Sequence, residues 1–112
     1  MEPTSREEIP QGTLDMLILR TVDRGGVLHG FEIAEAIQEL SDGVLHVEEG
    51  SLYPALQRLL LKSWLAGEWG RTAGNRRARY YKITADGKKQ LDRELAQYSR
   101  VSAAIARVLA PA

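Results

Sequence analysis

The chain has 112 residues, which is enough for one domain with a modest core. It contains no cysteine, which excludes disulfide bonds and thiolate metal sites, and its formal net charge of zero argues against nonspecific nucleic-acid binding through bulk charge. No uninterrupted apolar run is longer than Met16–Leu19, far below the roughly 20 residues that span a bilayer, and the N-terminal MEPTSREEIP lacks the pattern of a secretory signal. We therefore expect a cytoplasmic protein that does not enter a membrane.

The charges are divided unevenly along the chain. Residues 1–50 hold three Lys/Arg against eleven Asp/Glu, a balance of −8, whereas residues 51–112 hold twelve against four, a balance of +8. This asymmetry predicts that one face of the protein meets an anion. The alternative is that the charges only solvate the surface.

Two helices are predicted in the N-terminal half. The first begins after Gln11-Gly12-Thr13, carries apolar residues on one face, and ends at Gly25-Gly26. The second occupies the segment HGFEIAEAIQELSDG and ends at Ser41-Asp42-Gly43. The following segment, VLHVEEG, is predicted to be a connector.

A third helix is predicted in GSLYPALQRLLLK, residues 50–62. Its leucines recur at the spacing of one helical face, but Pro54 lies inside the segment. Ser51 is a favourable N-cap, and a proline is tolerated in the first turn because the N–H groups there have no intrahelical partner. We therefore predict that this helix begins near Ser51 and ends near Lys62-Ser63.

A hairpin and a long helix are predicted in the remainder. WLAGEWG and YYKIT have the composition of strands, and RTAGNRRAR joins them with Gly74-Asn75 at its tip. Tyr80 and Tyr81 face opposite sides of their strand, so one of them should lie in the core. Thr84 can act as N-cap of a helix that runs almost to the C-terminus.

This order of elements predicts a mainly α fold with a small β-hairpin, a winged helix-turn-helix followed by a dimerisation helix. We assign residues 1–83 to the winged helix-turn-helix and residues 84–112 to the C-terminal dimerisation helix of the same compact unit. In such proteins the second helix of the motif places its N-terminal turns against base edges in the major groove.

Several segments resemble the PadR family of bacterial transcriptional regulators, in the order and spacing of that family. They are GTLDMLILR (12–20), HGFEI (29–33), GSLYPALQRL (50–59), RARYYKIT (77–84) and Gly87. Phe31 departs from the family pattern, which usually has tyrosine there, and the position therefore lacks a hydroxyl. The short chain with one C-terminal helix is similar to the small subgroup of the family. The resemblance implies a homodimeric DNA-binding repressor that is often relieved by a small ligand.

The third helix offers candidate contacts with bases. Ser51, Tyr53 and Gln57 are expected on its exposed face. A glutamine can bind adenine through two hydrogen bonds, and a tyrosine can donate to a phosphate. Arg58 either reaches a phosphate or pairs with an acid of its own domain.

The hairpin offers candidate contacts with the DNA backbone. Residues 71–82 include five basic side chains and no acid. In a wing this composition predicts contact with phosphates or with the minor groove, whereas the alternative is a solvated loop. Arg76 and Arg77 lie nearest the tip and are the strongest candidates. Arg79 either contacts DNA or pairs with a carboxylate.

The last helix carries an apolar seam at steps of three and four residues, which indicates a coiled-coil-like contact with a second copy. The alternative is that the seam packs back on its own domain. Trp64, whose default place is the core, and Tyr98 are candidate walls of a cleft for a small aromatic ligand. The seam residues are Leu91, Leu95, Tyr98, Val101 and Ile105.

The chain carries no recognisable catalytic signature. His29 and His46 are its only histidines, and there is no nucleophile elbow or P-loop, so we expect no enzyme activity, no metal and no cofactor. We expect a sequence-specific regulator that binds double-stranded DNA as a homodimer on a palindromic operator. The alternative is a winged helix used only for protein–protein contact, which the acidic N-terminal half favours. A small-molecule carrier has no support beyond a cleft at the dimer seam.

Overall fold

The computed structural model of the protein describes residues 7–10 and 12–112. Within this part of the chain, helices build the core and a small sheet flanks it. The helices are α1 (Leu14–Gly25), α2 (Gly30–Leu40), α3 (Glu49–Leu61) and α4 (Ala85–Leu109). The strands are β1 (Glu7–Glu8), β2 (Leu28–His29), β3 (Leu45–His46), β4 (Leu65–Arg71) and β5 (Arg77–Ile83). The mainly α winged helix-turn-helix expected from the sequence is confirmed.

The core lies mainly between α1, α2 and α3, and α4 adds Leu91 to it. Apolar side chains spaced three and four residues apart along each helix point to this shared centre, because that spacing repeats one helical face. Burying each of the larger ones removes enough apolar area to contribute about 1.5–3 kcal/mol. The largest buried side chains are Ile18, Leu19, Val22, Ile33, Leu52, Leu56, Leu59 and Leu91.

The predicted hairpin is present as β4 and β5, which pair antiparallel from Leu65 opposite Ile83 to Arg71 opposite Arg77. Asn75 at its tip adopts a left-handed φ of 63°, which asparagine tolerates better than most residues. The short strand β2 adds to the other edge of β5, giving a sheet of order β2-β5-β4. The sequence did not indicate β2.

The connector VLHVEEG contains the strand β3, which pairs in parallel with the N-terminal strand β1. Val47, the residue after β3, is buried. The segment is therefore part of the domain's structure rather than only a link between two helices. The predicted beginning of α1 includes Gln11, which lies outside the described residues.

The beginning of α3 was predicted wrongly. Its N-cap is Glu48, not Ser51, and the Leu52 N–H donates to the Glu48 carbonyl over 2.9 Å. Val47 before the cap and Leu52 in the second turn are both buried in the core, which is the arrangement of a hydrophobic staple. This packing sets the start of the helix, although Ser51 has the better capping side chain.

Pro54 consequently lies in the second turn of α3 and not in the first. Its missing N–H would have bonded to the carbonyl of Gly50, four residues earlier. Gly50 is exposed, so water can satisfy that carbonyl and the loss is tolerated.

The long helix α4 begins as predicted, because the Thr84 hydroxyl accepts from the Gly87 N–H over 2.9 Å. Its apolar seam, however, is divided. Leu91 is 2% exposed and belongs to the domain's own core, and half-buried Leu95 packs against that core, so Leu91 is corrected from a dimer residue to a core residue. Exposed beyond them are Tyr98, Val101, Ile105, Val108 and Leu109.

Among the described residues, no helix combines the length and the apolar character that a bilayer span requires.

Candidate nucleic-acid interface

A cavity of about 740 Å³ lies between the N-terminus of α2, the exposed side of α3 and the hairpin. We call it the wing cavity. No aspartate or glutamate is found among its described lining residues. Its walls combine aromatic rings with guanidinium groups, a combination suited to an anion. The aromatic and cationic side chains that line it include Phe31, Tyr53, Trp69, Arg77, Arg79 and Tyr81.

The N-terminus of α2 forms one side of this cavity and is held by a capping box. The His29 Nδ1 accepts from the Glu32 N–H over 3.3 Å, and the Glu32 carboxylate accepts from the His29 N–H over 3.0 Å. Both donors would otherwise lack an intrahelical partner. His29 also packs edge-on against Tyr80, with ring centroids 5.4 Å apart, which joins α2 to β5.

Tyr53 brings α3 to the same cavity. A Cβ on Gly30 would lie 3.1 Å from both the Tyr53 hydroxyl and its Cε1, so the absence of a side chain at Gly30 leaves room for the ring. The Tyr53 side chain is half exposed. It therefore lies on the exposed face of α3, as predicted, and is supported by the start of α2.

The hairpin supplies cations that are organised around Trp69. The Arg77 Cζ lies 4.6 Å from the centroid of the Trp69 ring, and the Arg79 Cζ lies 5.8 Å from it. Trp69 and Arg79 are direct cross-strand partners. The ring attracts both guanidinium groups and restricts where they point. Trp69 was expected beside the wing but was not among the predicted site residues, although the pairing of WLAGEWG with RARYYKI would have placed it opposite Arg79.

Residues 18–93 match the family model of the Transcriptional regulator PadR-like family. The chain belongs to this family. It is 30% identical over 99 residues to a protein of Lysinibacillus sphaericus called Uncharacterized protein X, covering 86% of this chain and 87% of that one. Among solved structures it is similar to a transcriptional regulator from Clostridium thermocellum, with 25% identity, a TM-score of 0.81, and 89% and 96% of the two chains covered.

A PadR family transcription regulator from hypervirulent Clostridium difficile R20291 is also similar, with 26% identity and a TM-score of 0.75 over 88% of this chain and all of that one. The family and these structures are described as transcriptional regulators. Family membership and the winged helix together assign the chain to the DNA-binding transcriptional regulators.

The structure of this PadR-like regulator brings together some of the predicted contact residues. Tyr53, Arg76, Arg77 and Arg79 all line the wing cavity. The Arg76 N–H donates to the Thr72 hydroxyl over 3.2 Å, which shapes the turn that carries its exposed side chain.

Other predicted contacts lie outside the wing cavity. Ser51 and Gln57 are exposed on α3, but neither is among the cavity's lining residues. Arg58 forms an ion pair with Asp15 of α1, with 2.8 Å between Nη2 and Oδ1. Of the two roles left open for Arg58, the structure places it in the intradomain pair, which contributes at most about 1 kcal/mol because both side chains are partly exposed.

Within one chain, Trp64 and Tyr98 do not line a common space, and a ligand cleft at a dimer seam stays a prediction. Tyr98 lines a separate space of about 330 Å³ with residues of α1 and α4, and Trp64 is not among its lining residues. Trp64 packs against the core, and its carbonyl accepts from the Thr84 N–H over 3.0 Å at the start of α4. Because a helix rises 1.5 Å per residue, Tyr98 lies about 20 Å farther along α4.

Proposed function

We propose that this regulator recognises a specific DNA sequence and represses transcription as a homodimer on a palindromic operator. The observation that carries the proposal is the shared surface formed by Tyr53 of α3 and the guanidinium groups of the hairpin around the wing cavity. With 13 residues, α3 is about 20 Å long, which suits insertion of its N-terminal half into the major groove. Ser51, Tyr53 and Gln57 would then meet bases or nearby phosphates.

The hairpin would meet the DNA backbone beside that groove. Its arginines concentrate positive charge in a chain whose formal net charge is zero, so the arrangement of these residues matters more than total charge. Binding should therefore weaken strongly with salt, because each neutralised phosphate releases counterions.

The test measures DNA affinity by fluorescence anisotropy, over a salt series, with an operator selected from the protein's own genome. Replacing both Arg76 and Arg77 by Ala should weaken binding to all sequences and lower the salt slope by about one to two units per subunit. The matched control replaces Arg100 and Arg107, which removes the same charge from α4. Equal behaviour of the two double variants would refute the role of the wing. Absence of DNA binding by the parent would favour the protein–protein alternative.

The homodimer is proposed from the exposed part of α4. Tyr98, Val101 and Ile105 share one face of the helix, and each is about half exposed. A twofold contact would cover the same patch on both copies and present two recognition helices to two half-sites about 34–36 Å apart. We expect Ile105→Glu to yield monomers, because a carboxylate buried in the contact would lack a partner.

Light scattering at tens of micromolar measures the assembly without DNA. Ala103→Glu, on the opposite side of α4 from Ile105, is the matched control and should leave the parent's mass unchanged. A monomeric parent, or a dimeric Ile105→Glu variant, would rule out α4 as the dimer contact.

A further inference from the structure

The guanidinium of Arg79 has an unused donor at the wing cavity. Its Nε is buried, and it has no hydrogen-bond partner among the described residues. Nor does a carboxylate lie within ion-pair distance of Arg79 in that part of the chain. Buried polar groups are nearly always satisfied, so this donor is available to a water molecule or to an acceptor that comes from outside the chain.

The fold makes specific room for this side chain. A Cβ on Gly67 would lie 2.6 Å from the Arg79 Nε, closer than real Cβ atoms come to another atom, and a tight 3.2 Å from its Cζ. The guanidinium therefore rests over the bare backbone of Gly67 in the neighbouring strand. On the same side of the hairpin it lies near the Trp69 ring. Arg79 is half-buried within the paired part of the hairpin, opposite Trp69, unlike the exposed arginines nearer the tip.

Two phenols converge on the same place. Tyr81 is 6% exposed yet lines the wing cavity, and Tyr53 enters the cavity from α3. Burial raises the pKa of Tyr81, an effect that the Arg79 charge opposes and the Tyr53 phenol reinforces. All three groups line the wing cavity. A phenol with a raised pKa keeps its proton at neutral pH and can donate it to an anionic oxygen.

We propose that Arg79, Tyr81 and Tyr53 form a seat for one phosphodiester group of the DNA backbone. This inference rests on the proposed function. A guanidinium and two hydroxyls match the several acceptor oxygens of a phosphate, and the lining residues include no carboxylate to repel it. Phe31 borders the same cavity but has no hydroxyl to donate. The two hydroxyl donors of the seat therefore come from Tyr53 and Tyr81. The seat lies between α3 and the hairpin, where a backbone would pass from the major groove to the wing.

The first arm of the test compares variants in DNA anisotropy titrations. Arg79→Gln should weaken binding to every sequence about tenfold or more and lower the salt slope by about one unit per subunit. Arg79→Lys should recover the slope but not the affinity, because an ammonium keeps the charge and loses the planar fork. Recovery of full affinity by Arg79→Lys would reduce Arg79 to a general positive charge and overturn the seat.

The second arm displaces Arg79 without changing any charge. Gly67→Ala puts a methyl where the guanidinium rests, so it should weaken DNA binding about as much as Arg79→Gln does. Gly74→Ala is the matched control in the same hairpin, because a Cβ there meets nothing closer than the Thr72 hydroxyl at 3.8 Å. Thermal unfolding of both variants checks the fold. Equal affinities of a folded Gly67→Ala and Gly74→Ala would overturn the proposal.

The third arm identifies which phosphate of the DNA occupies the seat. It compares positions along the DNA for the same protein, so a small loss of stability in Arg79→Gln does not affect the result. Neutral methylphosphonates are placed one at a time along the operator. One position in each half-site should weaken binding by the parent and have no further effect on Arg79→Gln. If every position weakens both proteins equally, the seat is wrong.

The source of the phosphate is distinguished by inorganic phosphate without DNA. The melting temperature of the parent is compared in phosphate and in chloride of equal ionic strength, and the comparison is repeated with Arg79→Gln. A phosphate-dependent rise that Arg79→Gln abolishes, together with no effect in the DNA arms, would mean that the seat serves a free anion. That result would overturn the assignment to DNA. If the parent binds no DNA, the proposed function itself is refuted. If the parent binds DNA and the Arg79 and Gly67 variants bind it with the same affinity as the parent, only the seat is refuted.

Discussion

Replacing Gly87 by Ala should have two opposite effects on the stability of the protein, a gain from helix propensity and a loss from tertiary packing. Gly87 lies in the first turn of α4, where alanine would stabilise an isolated helix by up to about 1 kcal/mol. In the structure, however, a Cβ at this position would overlap the backbone carbonyl of Trp64 and lie 2.8 Å from Ile83 Cγ1. A backbone carbonyl cannot rotate away as a side chain can, so α4 must shift.

The shift would break the junction that the Trp64 carbonyl makes with α4. That carbonyl accepts from the Thr84 N–H over 3.0 Å, and the Thr84 hydroxyl donates to the neighbouring Ser63 carbonyl over 2.7 Å and caps the helix by accepting from the Gly87 N–H. A lost cap costs about 1 kcal/mol, a lost hydrogen bond about 1 kcal/mol, and overpacking about 1–3 kcal/mol. After the propensity gain, we expect Gly87→Ala to lower the free energy of unfolding by about 2–4 kcal/mol.

Urea denaturation followed by tryptophan fluorescence measures this change. Gly50→Ala is the matched control, because Gly50 is also helical but a Cβ there has nothing within 4 Å. We expect this control to be as stable as the parent or slightly more stable. A Gly87→Ala protein that equals or exceeds the parent in stability would show that the close approach of α4 to the hairpin is not as described.

Two further predictions concern the core. Leu91→Ala should lower the free energy of unfolding, measured by urea denaturation, by about 2–5 kcal/mol because the side chain is 2% exposed. A much smaller decrease would show that Leu91 belongs to the exposed seam of α4 and not to the core. The raised pKa of Tyr81 favours its protonated form in the folded state, so stability from this group is present below the ordinary tyrosine pKa of 10.0 and is lost as pH rises from that value through the higher pKa of the folded state. Denaturation at increasing alkaline pH should show a steeper loss for the parent than for Tyr81→Phe, and parallel profiles would contradict this linkage.

The elements that local patterns define were predictable from the chain. The apolar period of α1 and α2, the Thr84 cap of α4, and the glycine–asparagine tip of the hairpin all act over a few residues, so their signals are complete in short windows. The tyrosine pair of β5 also followed from strand alternation, and Tyr81 is the member in the core. The cations of the wing could be named for the same reason, since they are adjacent in sequence.

Long-range contacts decided the remaining features. Ser51 has the better capping side chain, but the burial of Val47 and Leu52 in one core starts α3 earlier. Leu91 and Ile105 belong to one periodic stripe, and only the position of α1 beside the first half of α4 assigns Leu91 to the core. The space that Gly67 leaves for Arg79 depends on cross-strand register, which joins residues from two strands. A periodic pattern specifies which face of an element is apolar, but the partner that covers that face depends on how distant parts of the chain pack together.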